Sequence, residues 1–265
     1  MNHPTSELDS SRIARTTWAG QVAPGDAGDS VATSASWLMT SRRGGVSEAP
    51  FDDWNLAGHV GDDPQSVATN RAVIADIAGV PADSVIMMRQ CHSAKVAVVR
   101  DASVGEIMGV DALVTDVPDL VLVALAADCV PLVLIDADAG VVAAVHSGWQ
   151  GMVSDVSGAA LATMVELGAS PQRIRAVLGP AICGPCYPVP TERAAEAAAA
   201  APASRATAPD GQPGIDVRRG LVQRLSEVGV RVETAGGCTA ESPDLFSYRR
   251  DGTTGRQGAA VWWSR

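Results

Sequence analysis

Histidine is scarce in this sequence, with four in 265 residues. A multinuclear copper centre spread over imidazole ligands needs more, so that chemistry is excluded. Two Tyr and two Phe accompany six Trp, leaving Ala, Val, Leu and Ile to fill most of the core. The five cysteines are odd in number, and no spacing among them suggests a disulfide framework. No apolar run approaches the roughly 18 residues of a spanning helix, because Asp128 and Asp136 interrupt the longest. The N-terminal MNHPTSELDSSRIARTT lacks the apolar segment of a secretory signal. Positive charge is short too. Twenty basic against thirty acidic side chains give a net charge of −10, the wrong sign for gripping a phosphate backbone. A soluble cytoplasmic protein is expected, with no nucleic acid, no membrane and no protein partner to infer. A local arginine pocket for a small phosphate stays open.

What is there begins with Leu120–Gly151, LVLVALAADCVPLVLIDADAGVVAAVHSGWQG. It reads as two apolar runs joined by a turn at ADAG (137–140), the first carrying Cys129 and the second ending at His146. The continuous run 120–127 implies a strand buried on both faces. A third run, MMRQCHSAKVAVV, contains His92. One thiol and two imidazoles, each where a strand breaks, make a candidate catalytic zinc set with an open fourth position. They also match a mononuclear copper centre. His59 is a reserve ligand.

Around this stretch, residues 1–34 are polar and expected to form a flexible arm, and 35–265 a single catalytic domain. Asp63-Pro64 reads as N-cap and first helical residue of a helix closing at Gly79. Strands are expected near 85–88, 96–99, 111–115, 173–178 and 230–232. Helices are expected over 151–167, from Thr191 as cap, and over 216–229. Nothing is assigned to the tail from 242. Elements intersperse without regular alternation, so the expected class is α+β, with mixed sheets layered with helices.

CGPC at Cys183–Cys186 has the spacing of a redox dithiol. However, Pro188 and Pro190 forbid the helix such a site needs. It offers only two metal ligands, and no second CxxC completes four.

The ordered motifs RRGGVS, NLAGHVGDD, RQCHSAKV, DALVTD, ADCVPLVL, AAVHSGWQG, LGPAICGPCY and LFSYRRDGTTGR together resemble the YfiH-type family. That family was formerly labelled multicopper polyphenol oxidoreductase or laccase, and its members have since been described as purine nucleoside phosphorylases with adenosine deaminase activity. The resemblance implies a YfiH-like, CNF-toxin-type cysteine-hydrolase fold. It implies His92, Cys129 and His146 as ligands of zinc, with copper also reported. It also implies purine nucleosides and phosphate as substrates. Cys129, His146 and Asp128 are then the catalytic candidates, with Asp128 as a proton-shuttling carboxylate for water attacking C6 of adenine. Arg42, Asn55, Gln150 and Arg249 are candidates for substrate or phosphate, helped by Arg250 and the helix start at Gly148–Gly151. Gln150 stands where the family usually has arginine, and Pro188 where it has glutamate.

The histidine count stands against the laccase label. Two other classes remain: a cysteine hydrolase or amidase linked to peptidoglycan editing, with Cys129 as nucleophile and His146 as base, and a non-catalytic ligand-binding protein.

Overall fold

An apolar strand with no polar face is stable only where both faces are covered, and Val121–Ala126 is buried throughout. The computed structural model describes residues 17–25 and 34–264. The chain begins with β1 (Trp18–Val22), β2 (Ser34–Met39), α1 (Pro64–Ala78), β3 (Val85–Arg89), β4 (Val96–Val98), β5 (Glu106–Met108) and β6 (Ala112–Thr115). The middle holds β7 (Val121–Ala126), β8 (Val130–Asp136), β9 (Val141–Ser147), α2 (Trp149–Val153), α3 (Val156–Glu166) and β10 (Arg175–Leu178). Then come α4 (Thr191–Ala200), β11 (Arg205–Thr207), β12 (Pro213–Ile215), α5 (Val217–Glu227), β13 (Arg231–Thr234), α6 (Tyr248–Asp251) and β14 (Gln257–Ser264).

Two six-stranded sheets result, ordered β1-β2-β14-β7-β3-β5 and β13-β10-β8-β9-β6-β4, with β11 and β12 as a separate ladder. Both sheets are mixed. β7 pairs parallel with β3 and antiparallel with β14, and β10 pairs parallel with β13 and antiparallel with β8.

Alternation along each strand divides the side chains among three cores. Leu122 and Ala124 of β7 meet Val133, Ile135, Val142 and Ala144 between the sheets. Val121, Val123 and Leu125, on the other face of β7, pack with Val73 and Ile74 of α1. Leu132, Leu134, Ala143 and Val145 face α3 and α5 through Val156, Ala160, Met164, Leu221 and Leu225. The architecture is a single-domain α+β fold in four layers, helix, sheet, sheet, helix.

Helix α1 starts at its Asp63 cap and ends at left-handed Gly79, as its sequence dictates. The turn at 137–140 also holds, with Gly140 at φ 62. Five expectations differ. The first apolar run is not one strand: at Asp128, φ 94, the chain leaves one sheet for the other, so β7 and β8 lie in different sheets. The helix expected over 151–167 breaks because Asp155 turns left-handed and caps α3 at Gly158. Thr191 is the first residue of α4 rather than its cap. The tail supplies β14, inserted between β2 and β7. Within the arm, Trp18–Val22 is a strand on β2, since Trp18, Gly20 and Val22 turn inward at period two. Residues 1–16 and 26–33 of that arm lie outside the described residues.

Among the described residues no helix is long and apolar enough to cross a membrane. Leu122 is fully buried between the sheets. Leu122→Ala should cost about 3 kcal/mol in urea denaturation, with the cavity left behind adding to lost transfer energy. Val104→Ala, on an exposed side chain, should leave stability within about 0.5 kcal/mol.

Candidate metal centre and its cavity

Three strand ends meet at the rim of the two sheets. His92 follows β3, Cys129 sits at the crossing between β7 and β8, and His146 lies near the end of β9. Their ligand atoms lie within 4.8 Å of one another. Cys129 Sγ is 3.8 Å from His92 Nε2, and the imidazoles meet edge to face with centroids 4.9 Å apart.

The loop carrying His92 is tied down twice. Gln90 extends the sheet with its side chain, donating to the Leu125 carbonyl at 2.7 Å and accepting from the Leu125 amide at 2.9 Å. Asp111, fully buried at the start of β6, accepts the N–H groups of His92 at 3.0 Å and Ser93 at 2.7 Å and the Ser93 hydroxyl at 2.9 Å. This holds His92 in the left-handed region, φ 61, where a non-glycine residue needs such support. The other task of Asp111 is His146, whose Nδ1 is 2.9 Å from its carboxylate. That bond leaves Nε2 of His146 to face the cluster.

Electrostatics follow from this geometry. Burial works to raise the Asp111 carboxyl, but the His146 contact and the Ser93 donors outweigh it and hold the acid well below its ordinary range. Burial likewise opposes ionisation of Cys129, yet the positive field of His146 and hydrogen bonds from both imidazoles lower the thiol to about 6. His146 is raised to about 9, because the Cys129 charge and Asp111 overcome its burial.

The residues fit a metal. Two imidazoles and a readily ionised thiol are a familiar zinc donor set with room for a further ligand, and a carboxylate on the far nitrogen of one histidine is the usual outer support. Gly148 sharpens the fit, since a Cβ there would lie 2.9 Å from Cys129 Sγ and 3.2 Å from His92 Cδ2. Only glycine lets the chain pass beside the ligands, which explains the glycine in HSGW.

The cluster lies on a cavity of about 480 Å³, within the usual size range for small-molecule sites. Its apolar walls include Leu125, Ile182 and Val217, with the rings of Trp149, Tyr187 and Tyr248. Its cations are Arg89, Arg249 and Arg256. Arg249 stacks on Tyr187 at 4.9 Å. His59 lines the cavity but lies outside the ligand cluster, and burial with nearby Arg89 and Arg256 lowers its pKa.

Of the other expected site residues, Asp128 and Arg249 line the cavity, while Arg42, Asn55 and Gln150 do not. Asp128 is no free shuttle: its carboxylate accepts from Thr239 at 2.6 Å, Ser247 at 2.7 Å and the Arg249 amide at 2.6 Å. Arg42 is engaged by Asp52 and Asp251 and stacked on Phe246. Asn55 is buried, and its oxygen accepts the Arg256 amide at 2.9 Å, so it positions an arginine instead of facing the cavity. Gln150 is exposed on α2, and that helix has only five residues, too short for the anion-holding start expected at Gly148–Gly151. Arg250 is spent on the carbonyls of Thr239, Ser242 and Leu245. Sequence reasoning missed Asp111, Arg89 and Arg256. All three lie in the quoted motifs, but only the fold turns them toward one point.

A family described as multi-copper polyphenol oxidoreductase laccase matches residues 36–264. A protein of Corynebacterium glutamicum named purine nucleoside phosphorylase is 46% identical over 228 residues, covering 85% of this chain and 93% of that protein. One of the same name from Streptomyces coelicolor is 49% identical, covering 86% and 95%. A protein named adenosine deaminase, from an unknown prokaryotic organism, is 41% identical over 146 residues, covering 52% and 56%. The crystal structure of YlmD from Geobacillus stearothermophilus superimposes with a TM-score of 0.79 at 30% identity, covering 87% of this chain and 92% of that one. Matches of this extent, carried by one fold and one ordered set of motifs, place the chain in the YfiH-type family, described as multi-copper polyphenol oxidoreductase laccase.

Proposed function

We propose that this chain is a zinc-dependent purine nucleoside phosphorylase acting on adenosine, inosine and methylthioadenosine, with adenosine deaminase as a side activity. The observation that carries the reading is the junction of a two-imidazole, one-thiol cluster with a cavity bearing three arginines and three large rings. The names of the relatives support the substrate class.

His92, Cys129 and His146 would hold the metal, which when bound supplies a Lewis acid at the cavity floor. The rings of Tyr187, Tyr248 and Trp149 offer flat apolar surface to a purine. Arg89, Arg249 and Arg256 would receive phosphate through charge-assisted hydrogen bonds, taking the part expected of Arg42. In phosphorolysis a phosphate oxygen bonds to C1′ as the bond from C1′ to the base nitrogen breaks, and the base leaves with the electron pair. In deamination water adds at C6 and ammonia leaves. Asp128 positions the cavity wall in both reactions.

The lowered Cys129 thiol beside a raised His146 favours a second reading, a cysteine hydrolase with no metal requirement. Turnover that survives metal removal but stops on thiol alkylation would establish it. Failure to consume any of the three nucleosides, with or without phosphate, would favour a ligand-binding protein.

Zinc-loaded protein should release ribose 1-phosphate from inosine only when phosphate is present, and His92→Ala should lose both zinc and turnover. Asp111→Asn should lower metal affinity or activity by about 10–100-fold. Arg249→Ala and Arg256→Ala should raise the KM for phosphate about tenfold or more, in line with a charge-assisted bond of about 1.5–3 kcal/mol, whereas Arg42→Ala should lower stability at unchanged KM. In metal-stripped protein, iodoacetamide should alkylate Cys129 with a rate that rises with pH through about 6, as the thiolate forms. Asp111→Asn should move that midpoint up toward the ordinary thiol value of about 8.5.

A further inference from the structure

The CxxC turn has a third and a fourth partner that its own spacing does not reveal. β10 and β13 run parallel, so the loops leaving their C-terminal ends travel together, and Ala181 pairs with Cys238. Cys183 and Cys186 come from one loop, Cys238 and Glu241 from the other. Their ligand atoms all lie within 4.8 Å of one another. Cys238 is buried, and its sulfur accepts the Cys183 amide at 3.3 Å. Cys186 Sγ is 3.6 Å from Glu241 Oε1.

We propose that Cys183, Cys186, Cys238 and Glu241 form a second, structural zinc site, separate from the cluster at the cavity. Tetrahedral zinc, with bonds of about 2.3 Å to sulfur and about 2.0 Å to oxygen, sets sulfurs about 3.8 Å apart and sulfur to oxygen about 3.5 Å. Cys186 Sγ to Glu241 Oε1 at 3.6 Å already meets the sulfur–oxygen spacing, and the other pairs, all within 4.8 Å, would close by at most about 1 Å. The single turn Gly184–Cys186, with the Cys186 amide donating to the Cys183 carbonyl at 3.1 Å, presents both thiols on one side. Burial and the neighbouring thiols raise Cys183 and Cys186. A redox dithiol needs the opposite, an acidified first thiol. Zinc entering as Zn²⁺ forms three Zn–S bonds and one Zn–O bond and releases three thiol protons to solvent; no electron moves.

The site braces the cavity from behind. Ile182 and Tyr187, on either side of the turn, line the cavity, and Thr239, next to Cys238, donates to Asp128. Zinc here would cross-link the two loops that carry this wall.

Zinc per chain, measured by elemental analysis on full-length protein purified in a non-chelating reductant, tests the proposal, together with cobalt(II) substitution. His92→Ala/Cys129→Ser, which removes the cavity ligands, should still retain one tightly held zinc, and its cobalt form should show a strong thiolate charge-transfer band. Adding Cys183→Ser/Cys238→Ala should abolish both. Because Cys238 is buried, Glu241→Gln at the exposed ligand serves as the mild variant and should release zinc to a chelator about tenfold more readily. A folded His92→Ala/Cys129→Ser protein with no zinc and no cobalt–thiolate band would overturn the proposal. So would an intact mass short of two hydrogens, marking a disulfide in this cluster that persists in reductant.

Discussion

Asp111 does the work of two fasteners. It is one buried carboxylate at the start of β6, and it holds the His92 loop through backbone donors while fixing His146 through Nδ1. A buried charge is costly unless it is fully paired, and here the donors come from the Cys91–Ser93 loop and from His146. The same pairing sets the chemistry: it aims Nε2 of His146 inward, keeps that imidazole charged beside a thiol, and so lowers Cys129. Without Asp111 the left-handed backbone of His92 loses its support, and the three donors lose their common centre.

The two-sheet core makes that convergence possible. β7 and β8 share one apolar run but lie in different sheets, so the chain must cross between layers at Asp128 and Cys129. Crossing costs regular backbone hydrogen bonds. Thr239, Ser247 and the Arg249 amide pin the bend by bonding the Asp128 carboxylate. The bend exposes Cys129 at the sheet rim, against Gly148, where a side chain would crowd Cys129 Sγ and His92. Catalytic potential therefore resides where regular structure fails, on a scaffold packed tightly on both sides.

Much of this was legible in the residues. Period and capping placed α1, the hairpin of β8 and β9, and the apolar runs, because those signals are local. Chemistry-bearing residues at strand ends pointed to His92, Cys129 and His146. What stayed hidden depends on pairing between distant segments. β14 is an ordinary run of Ala, Val and Trp until β2 and β7 flank it, and Trp18–Val22 is too short to stand out from a polar arm. Asp111 reads as a strand-start acid like any other. Arg42 looked free beside two glycines, yet Asp52, Asp251 and Phe246 claim it, while Arg89 and Arg256 gave no local sign of facing one cavity. Cys238, 52 residues beyond Cys186 in the sequence, could join CGPC only through the parallel pairing of β10 and β13.

The net charge of −10 and the cationic cavity are compatible, since the arginines are gathered locally by strand ends. The central claim is that Asp111 organises a metal centre at the floor of that cavity. A crystal structure of the zinc-loaded protein with data collected at the zinc absorption edge tests it most directly. An anomalous peak bonded to His92, to Cys129 Sγ and to Nε2 of His146, with Asp111 still on Nδ1, is the expected result. A fully active crystal with no anomalous density among those three residues would contradict it.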